Sequence, residues 1–192
     1  IIDEQPDEVV YAFAGAPGVL PGESGLVLAA RGSGLYRSLD GGQTWEDALA
    51  SLDLPEHLPV TSLLVSPDYE HDRSLFAGAP GGILCSTDGG RTWKVQSLPQ
   101  PPPTISALAI SPAYAEDQTV FAGSMEDGVF RSTNGGDHWV GWNFGLLDLN
   151  VMCLAISPRF TEDETVFAGT ETGIFRSTNG GRAWREVDLP FG

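Results

Sequence analysis

Short apolar runs recur along this chain in a fixed order, each closed by turn residues. Leu63-Leu64-Val65-Ser66-Pro67 returns as Leu108-Ala109-Ile110-Ser111-Pro112 and as Leu154-Ala155-Ile156-Ser157-Pro158. An aromatic and an aspartate follow each time, as Tyr69 and Asp72, Tyr114 and Asp117, Phe160 and Asp163. Next come Leu75 to Gly78, Val120 to Gly123 and Val166 to Gly169, and then Ile83 to Ser86, Val129 to Ser132 and Ile174 to Ser177. Runs of four to six residues bounded by Gly, Pro and Asp are too short for helices and read as strands. Each unit therefore predicts four strands, A to D. Strand A is almost continuously apolar, as expected of an inner strand buried on both faces. Its Ser-Pro exit ends the ladder, because proline has no N–H to give. Strand D is polar, with Lys94, Gln96, Arg185 and Glu186, as expected of an outer edge.

The first unit departs from the others. Ala12 to Pro17 takes the strand A place, Gly25 to Ala30 the strand B place, and Leu35-Tyr36-Arg37-Ser38 restores the register. The intervening loop, Gly18 to Ser24, is longer than its counterparts, as befits a terminal repeat freed from one neighbour. The links between units also differ. Glu46 to Pro59 carries Leu49, Leu52, Leu54 and Leu58 and predicts a short turn of helix. Gln100-Pro101-Pro102-Pro103 predicts a stiff extended connector. Val140 to Asn150, with Trp142, Phe144, Leu146 and Leu147, is apolar for a loop and is expected to pack on a neighbouring blade, the alternative being an exposed ligand or partner patch.

Between strands C and D the chain writes one turn four times: Ser38-Leu39-Asp40-Gly41-Gly42-Gln43-Thr44-Trp45, then Ser86 to Trp93, Ser132 to Trp139 and Ser177 to Trp184. Asp40 and Asp88 become Asn134 and Asn179 in the later copies, which keeps a side-chain acceptor for the backbone two residues on. The paired glycines, whose second members are Gly42, Gly90, Gly136 and Gly181, supply the positive φ that a tight hairpin demands. Trp45, Trp93, Trp139 and Trp184 open strand D and offer a large apolar face to pin the turn. The tryptophans recur every 45 to 48 residues, a period that belongs to four-stranded propeller blades.

The repeated turn resembles the Asp-box, or BNR repeat, S-x-D-x-G-x-T-W. That repeat is found in sialidases, xyloglucan-cleaving glucanases, sortilin-type receptors and a photosystem II assembly factor. The resemblance covers roughly Val9 to Asp188. It implies an all-β fold, a propeller-like array of four four-stranded antiparallel blades with Asp-box hairpins, as one repeat domain. The expected blades span about residues 8–50, 59–98, 104–142 and 150–189. In those families the box is structural and stands away from any active site, so the resemblance selects a fold before an activity.

Charge narrows the partners. Ten Lys and Arg face 26 Asp and Glu, for a net charge of −16, and Lys94 is the one lysine. Such a surface repels phosphate backbones, so no nucleic-acid partner is expected. No apolar run reaches the length of a membrane span, so no membrane insertion by this chain is expected. The chain starts at Ile1 and not at Met, so any export signal lies out of view. The expectation is an extracytoplasmic or secreted protein. Cys85 and Cys153 fall on different strands of non-adjacent units and are expected to be free, Cys153 as small core filling.

Catalytic chemistry finds little footing. The sialidase resemblance would require an arginine triad, a tyrosine nucleophile with a glutamate, an acidic proton donor and about six blades. Arg37, Arg131 and Arg176 sit at one repeated position, one per blade, and so do not converge on one ligand. Asp72, Asp117 and Asp163 read as turn caps. A glycosidase needs two carboxylates facing each other across a cleft. The acids outside the repeat pattern are Glu126 and Asp127, in a lengthened B–C loop, and Glu171 in the next such loop. They form the candidate ligand face. The histidines, His57, His71 and His138, are scattered, and no metal site or cofactor is expected. The expected function is a non-catalytic scaffold or recognition domain for a protein or glycan partner. The alternatives are a glycoside hydrolase domain or fragment and an assembly factor of a larger complex. Closure of the array is expected either as a four-blade ring or, with a slight preference, through contact with a second copy or further blades.

Overall fold

The computed structural model describes residues 9–16, 25–54, 57–96, 98 and 101–188. Sixteen strands form four antiparallel sheets, each in A-B-C-D order. The first blade holds β1 (Val10–Ala16), β2 (Leu26–Arg31), β3 (Gly34–Ser38) and β4 (Glu46–Asp47). The second holds β5 (Ser62–Val65), β6 (Leu75–Ala79), β7 (Gly82–Ser86) and β8 (Lys94–Gln96). In the third are β9 (Thr104–Ile110), β10 (Val120–Met125), β11 (Gly128–Ser132) and β12 (Val140–Gly141). The fourth is β13 (Val151–Ile156), β14 (Val166–Thr170), β15 (Ile174–Ser177) and β16 (Arg185–Glu186). The linker after the first blade makes a 3-10 turn at Ala50–Leu52. The loop from Gly18 to Ser24 lies outside the described residues, as does Gln100 of the proline connector.

A–B turns are more ordered than turn residues alone suggested. They are single-turn helices, α1 (Tyr69–Asp72), α2 (Tyr114–Asp117) and α3 (Phe160–Asp163). Each is fastened by a serine and an aspartate six residues apart. Ser66 Oγ donates to Asp72 Oδ2 at 2.6 Å, Ser111 Oγ to Asp117 Oδ2 at 2.6 Å and Ser157 Oγ to Asp163 Oδ2 at 2.7 Å. The other carboxylate oxygen takes the backbone N–H of Ser74, Thr119 or Thr165. The helix aromatic turns inward. Tyr114 meets Phe76 edge-on at 5.9 Å, and Phe160 meets Phe121 at 5.7 Å, each pair joining two blades.

Core packing is divided by joint. One apolar cluster lies between the first and second blades, a second between the second and third, and a third between the third and fourth. Glycines on the B strands let the neighbouring A strand approach. A Cβ on Gly78 would stand 2.6 Å from Ile105 Cγ2, and one on Gly123 would stand 2.5 Å from Val151 Cγ1. Hydroxyls sew successive A strands together: Thr61 donates to the Ile105 carbonyl and Ser106 to the Val151 carbonyl.

Of the two modes of closure the four-blade ring is not formed, and two other expectations change. The four sheets do not close into a ring: A strands neighbour one another in chain order, β1 beside β5, β5 beside β9 and β9 beside β13, and the outer faces of β1 and β13 are open. Strand A is accordingly not buried on both faces. In β9 buried and half-buried residues alternate, while β1 exposes Tyr11 and Phe13 and β13 exposes Met152. Cys153, expected as core filling, is exposed on the open face of β13; Cys85 is buried, and both are free.

Candidate functional site

The B–C hairpins and D–A linkers lie at one end of the blade strands, and the box turns and A–B helices lie at the other, as the antiparallel strand order requires. At the box end the polar groups are consumed by the fold. Ser86 Oγ accepts from Gly90 N–H at 2.9 Å and donates to Asp88 Oδ1 at 2.8 Å. Asp88 also takes the N–H of Thr92 at 2.9 Å and its hydroxyl at 2.6 Å. Ser38, Asp40, Gly42 and Thr44 repeat this arrangement. Ser132 with Asn134 and Ser177 with Asn179 keep the backbone half, taking the N–H of Gly136, His138, Gly181 and Ala183, each at 2.9 Å.

The hydroxyl half survives only where Thr44 and Thr92 are present. The Thr44 hydroxyl, the Thr44 N–H and Ser38 hold the Asp40 carboxyl below the usual carboxylate range. Burial pushes Asp88 up, but the hydroxyl and N–H of Thr92, with Ser86 and the Arg91 N–H, outweigh it and the net shift is down. The first glycine of the later boxes binds the preceding helix: Gly135 N–H donates to Gln118 O at 3.0 Å and Gly180 N–H to Glu164 O at 2.9 Å.

The box tryptophans divide into two groups. Trp93, Trp139 and Trp184 are each 3 % exposed, pressed onto the preceding blade, whereas Trp45 meets no preceding blade among the described residues and is 42 % exposed. Indole N–H partners differ too: Trp45 and Trp139 bond the carbonyls of Gly42 and Gly136, Trp184 bonds that of Trp142, and buried Trp93 Nε1 meets no acceptor among the described residues.

The repeated arginines stay one per blade and apart from one another. Arg37 pairs with Glu46 at 2.6 Å. Arg131 lies over Phe121, Phe160 and Trp142 and donates from Nη1 to Gly180 O at 3.0 Å. Burial, then the nearby Arg182, lowers its pKa. Arg176 stacks over Phe167 alone, 5.8 Å from the ring centre.

At the linker end the candidate acids sit on hairpins tied together by a segment that repeat matching passed over. Glu126, at φ 74, donates its N–H to Asn150 Oδ1 at 3.1 Å, and Asp127 O accepts from Asn143 Nδ2 at 2.8 Å. Asp148 takes the N–H of Thr172 at 2.9 Å and its hydroxyl at 2.8 Å, fixing the turn that carries Glu171. The N–H of Asn150, then Thr172, lowers the Asp148 pKa. The side chains of Glu126, Asp127 and Glu171 remain exposed. Among the described residues no three His, Cys, Asp or Glu converge on a point that could hold a metal ion.

The linker packs in part and is exposed in part. Leu146 is buried, Trp184 N–H donates to Phe144 O at 2.8 Å, and a Cβ on Gly145 would collide with the Trp184 carbonyl. Phe144 and Leu147, however, are 81 % and 80 % exposed. Their signal in the sequence was apolarity alone, which did not tell anchors from exposed residues. The site is thus a rigid loop presenting two apolar side chains beside acidic hairpins.

Comparison with known proteins adds a lineage. The family model of the photosynthesis system II assembly factor YCF48 matches residues 19–141. The photosystem II assembly lipoprotein Ycf48 of Synechococcus sp. (strain CC9902) is 41 % identical over 73 residues, 36 % of this chain and 21 % of that protein. A probable oligoxyloglucan-reducing end-specific xyloglucanase of Neosartorya fischeri is 31 % identical over 80 residues, 40 % of this chain and 9 % of that one. In fold the chain is similar to an ancestral GH74 enzyme, with a TM-score of 0.73 and 23 % identity over 94 % of this chain and 24 % of the enzyme. The matched regions are thus small parts of the relatives' own lengths.

Proposed function

Since this chain belongs to the photosystem II assembly factor YCF48 family, we propose that it is a non-catalytic docking module that holds a protein partner while a larger complex is assembled. The observation that carries the reading is the exposed pair Phe144 and Leu147 on a linker clamped by Leu146, Gly145 and Trp184. Apolar side chains held rigidly in solvent beside a polar rim are suited to a protein interface, because little ordering entropy remains to be lost on binding. Glu126, Asp127 and Glu171 supply that rim and steer a basic surface towards it. The lipoprotein relative supports a place outside the cytoplasm. The test is binding of the pure chain to isolated photosystem II subcomplexes. A Phe144→Ser/Leu147→Ser variant should bind at least roughly thirtyfold more weakly, as expected when an interface anchor is lost. No binding by the unaltered chain, or equal binding by the variant, refutes the reading.

A second reading has one observation in its favour, the match to the xyloglucanase. In it the Glu126, Asp127 and Glu171 face binds a xyloglucan oligosaccharide. Saturable binding or turnover of xyloglucan heptasaccharide, lost in Glu126→Gln and Glu171→Gln, would put this reading first.

A further inference from the structure

The space between the B–C hairpin and the D–A linker is filled in the third blade and open in the first. A Cβ on Gly128 would stand 2.5 Å from Asn143 Oδ1, and the Asn143 side chain bonds the Val129 N–H and the Asp127 carbonyl. By the pairing of strands C and D, Leu49 holds the place of Asn143, and it is buried in the apolar core of the first joint. A Cβ on Gly34, the counterpart of Gly128, meets nothing nearer than the Leu58 carbonyl at 4.0 Å. The first linker, 48–61, is also longer than the third, 142–150. Between hairpin and linker lies a cavity of about 510 Å³. That volume is in the range of small-ligand sites, roughly 300–1,000 Å³. Leu49, Leu54 and Leu58 give its apolar lining, and Asp47, Asp53 and His57 its ionisable groups. The Asp47 carboxyl is held in place by the Leu49 N–H at 2.8 Å, and Asp53 ends the 3-10 turn at φ 47. Among the described residues such groups nowhere converge in threes to hold a metal ion, so these stand apart along the walls.

The charge of this end of the blades points to the ligand. Of the ten Lys and Arg in the chain, only Arg31 belongs to the B–C hairpins, the ends of the D strands or the D–A linkers. Arg31 lies over the Tyr36 ring at 5.8 Å and does not line the cavity. Asp47, Asp53, Glu126, Asp127, Asp148 and Glu171 all belong to this end. A face of one sign concentrates the opposite charge in its clefts. We infer that the cavity binds an arginine side chain of a protein partner. The guanidinium lies between the Asp47 and Asp53 carboxylates and stacks on the His57 ring, and its methylenes lie along the leucines. A planar fork with five donors serves two separate carboxylates at once, where an ammonium is a point charge. Only the source of the arginine, a protein partner, rests on the docking function proposed above. The selectivity of the cavity follows from its own walls and is measured without any partner.

Titration of the isotope-labelled chain with N-acetyl-arginine amide, followed by amide NMR, reads the site directly. The Gly34, Ala50 and Asp53 resonances should shift saturably, with a Kd on the order of millimolar for one side chain alone. N-acetyl-citrulline amide has the same shape without the charge and should bind at least roughly tenfold more weakly. The arginine amide should lose at least roughly as much on an Asp47→Asn/Asp53→Asn variant. Both aspartates are exposed, and asparagine keeps the acceptor for the Leu49 N–H and tolerates the left-handed φ of Asp53. That variant should therefore keep the β circular dichroism of the parent. The Phe144→Ser/Leu147→Ser variant should bind the amide as the parent does, so failure of the docking function and failure of this site are told apart. No shift at the cavity at roughly tens of millimolar amide overturns the inference. Equal binding of the citrulline or lysine amide overturns it, as does undiminished binding by the asparagine variant. Shifts of the same size at Glu126 and Glu171 would show a general attraction to the acidic end and overturn it as well.

Discussion

The Arg131 guanidinium reaches out of its own blade and donates to the Gly180 carbonyl at 3.0 Å, so that β11 of one blade holds the box turn of the next. The same side chain is flanked by Phe121, Phe160 and Trp142. Arg37, its counterpart in the first blade, instead pairs with exposed Glu46. Hydrogen bonds from charged groups in partly buried sites are worth about 1.5–3 kcal/mol. Exposed ion pairs are worth about 0–1 kcal/mol. Arg131→Ala should therefore lower stability by about 2–3 kcal/mol in chemical denaturation, with the ring contacts included. Arg37→Ala should cost under about 1 kcal/mol. Equal losses would show that the bridge to Gly180 carries no stability.

Gly123 and Val151 provide a test of close packing. Placing a methyl group on Gly123 forces it against Val151 and should cost about 1–3 kcal/mol. Val151→Ala leaves a cavity but opens room for that methyl. The double variant should therefore be more stable than the sum of the two losses predicts, with a coupling of about 1 kcal/mol or more. Additive losses would mean that the blades slide apart to absorb the methyl group.

Tryptophan-to-phenylalanine exchange separates apolar burial from hydrogen bonding. Trp93 and Trp139 are equally buried, but only the Trp139 indole finds an acceptor, Gly136 O at 2.8 Å. Trp139→Phe should be costlier than Trp93→Phe by about 1 kcal/mol, the net worth of one such bond. Indistinguishable melting temperatures would contradict this.

Among the four box turns, acid should loosen the first two before the last two. Asp40 and Asp88 titrate below their usual range in the folded chain, so the unfolded chain binds protons more readily. Their contribution is complete above the unfolded value of about 3.9 and is lost as pH falls through the lower folded values. Asn134 and Asn179 carry no such charge. Amide exchange at pH 3 should therefore rise at Gly42 and Gly90 before Gly136 and Gly181, and Asp88→Asn should reduce the rise at Gly90. Uniform exchange across the four turns would rule the asymmetry out.

Much of this architecture was legible in the sequence because each blade repeats its own instructions. The Ser-Asp-Gly-Gly-Trp spacing marked the hairpins, and the recurring short apolar runs marked the strands. The helical form of the A–B turns was hidden, since four residues cannot show helical periodicity. Strand A was misjudged for a different reason: Tyr11, Phe13 and Met152 are apolar, but apolarity records fitness for burial and not whether a neighbour is present. The linker site suffered likewise. Phe144 and Leu146 look alike in sequence, and only the contact of Gly145 with Trp184 decides which one points outward.

The bonds from Gly135 N–H to Gln118 O and from Gly180 N–H to Glu164 O have a consequence for how the protein ages. Asn134-Gly135 and Asn179-Gly180 are the dipeptides most prone to deamidation, in which the glycine nitrogen attacks the asparagine side-chain carbonyl to form a succinimide. Here that nitrogen is committed to a helix carbonyl, and the asparagine oxygen to the N–H of His138 or Ala183. Ring formation then requires the turn to open first. Isoaspartate at these two positions, counted by peptide mapping after long incubation, should track conditions that open the turns, and accumulation at the rate of a free peptide would show that the turns give no protection. The two asparagines thus serve as a molecular clock that runs only while their blades are undone.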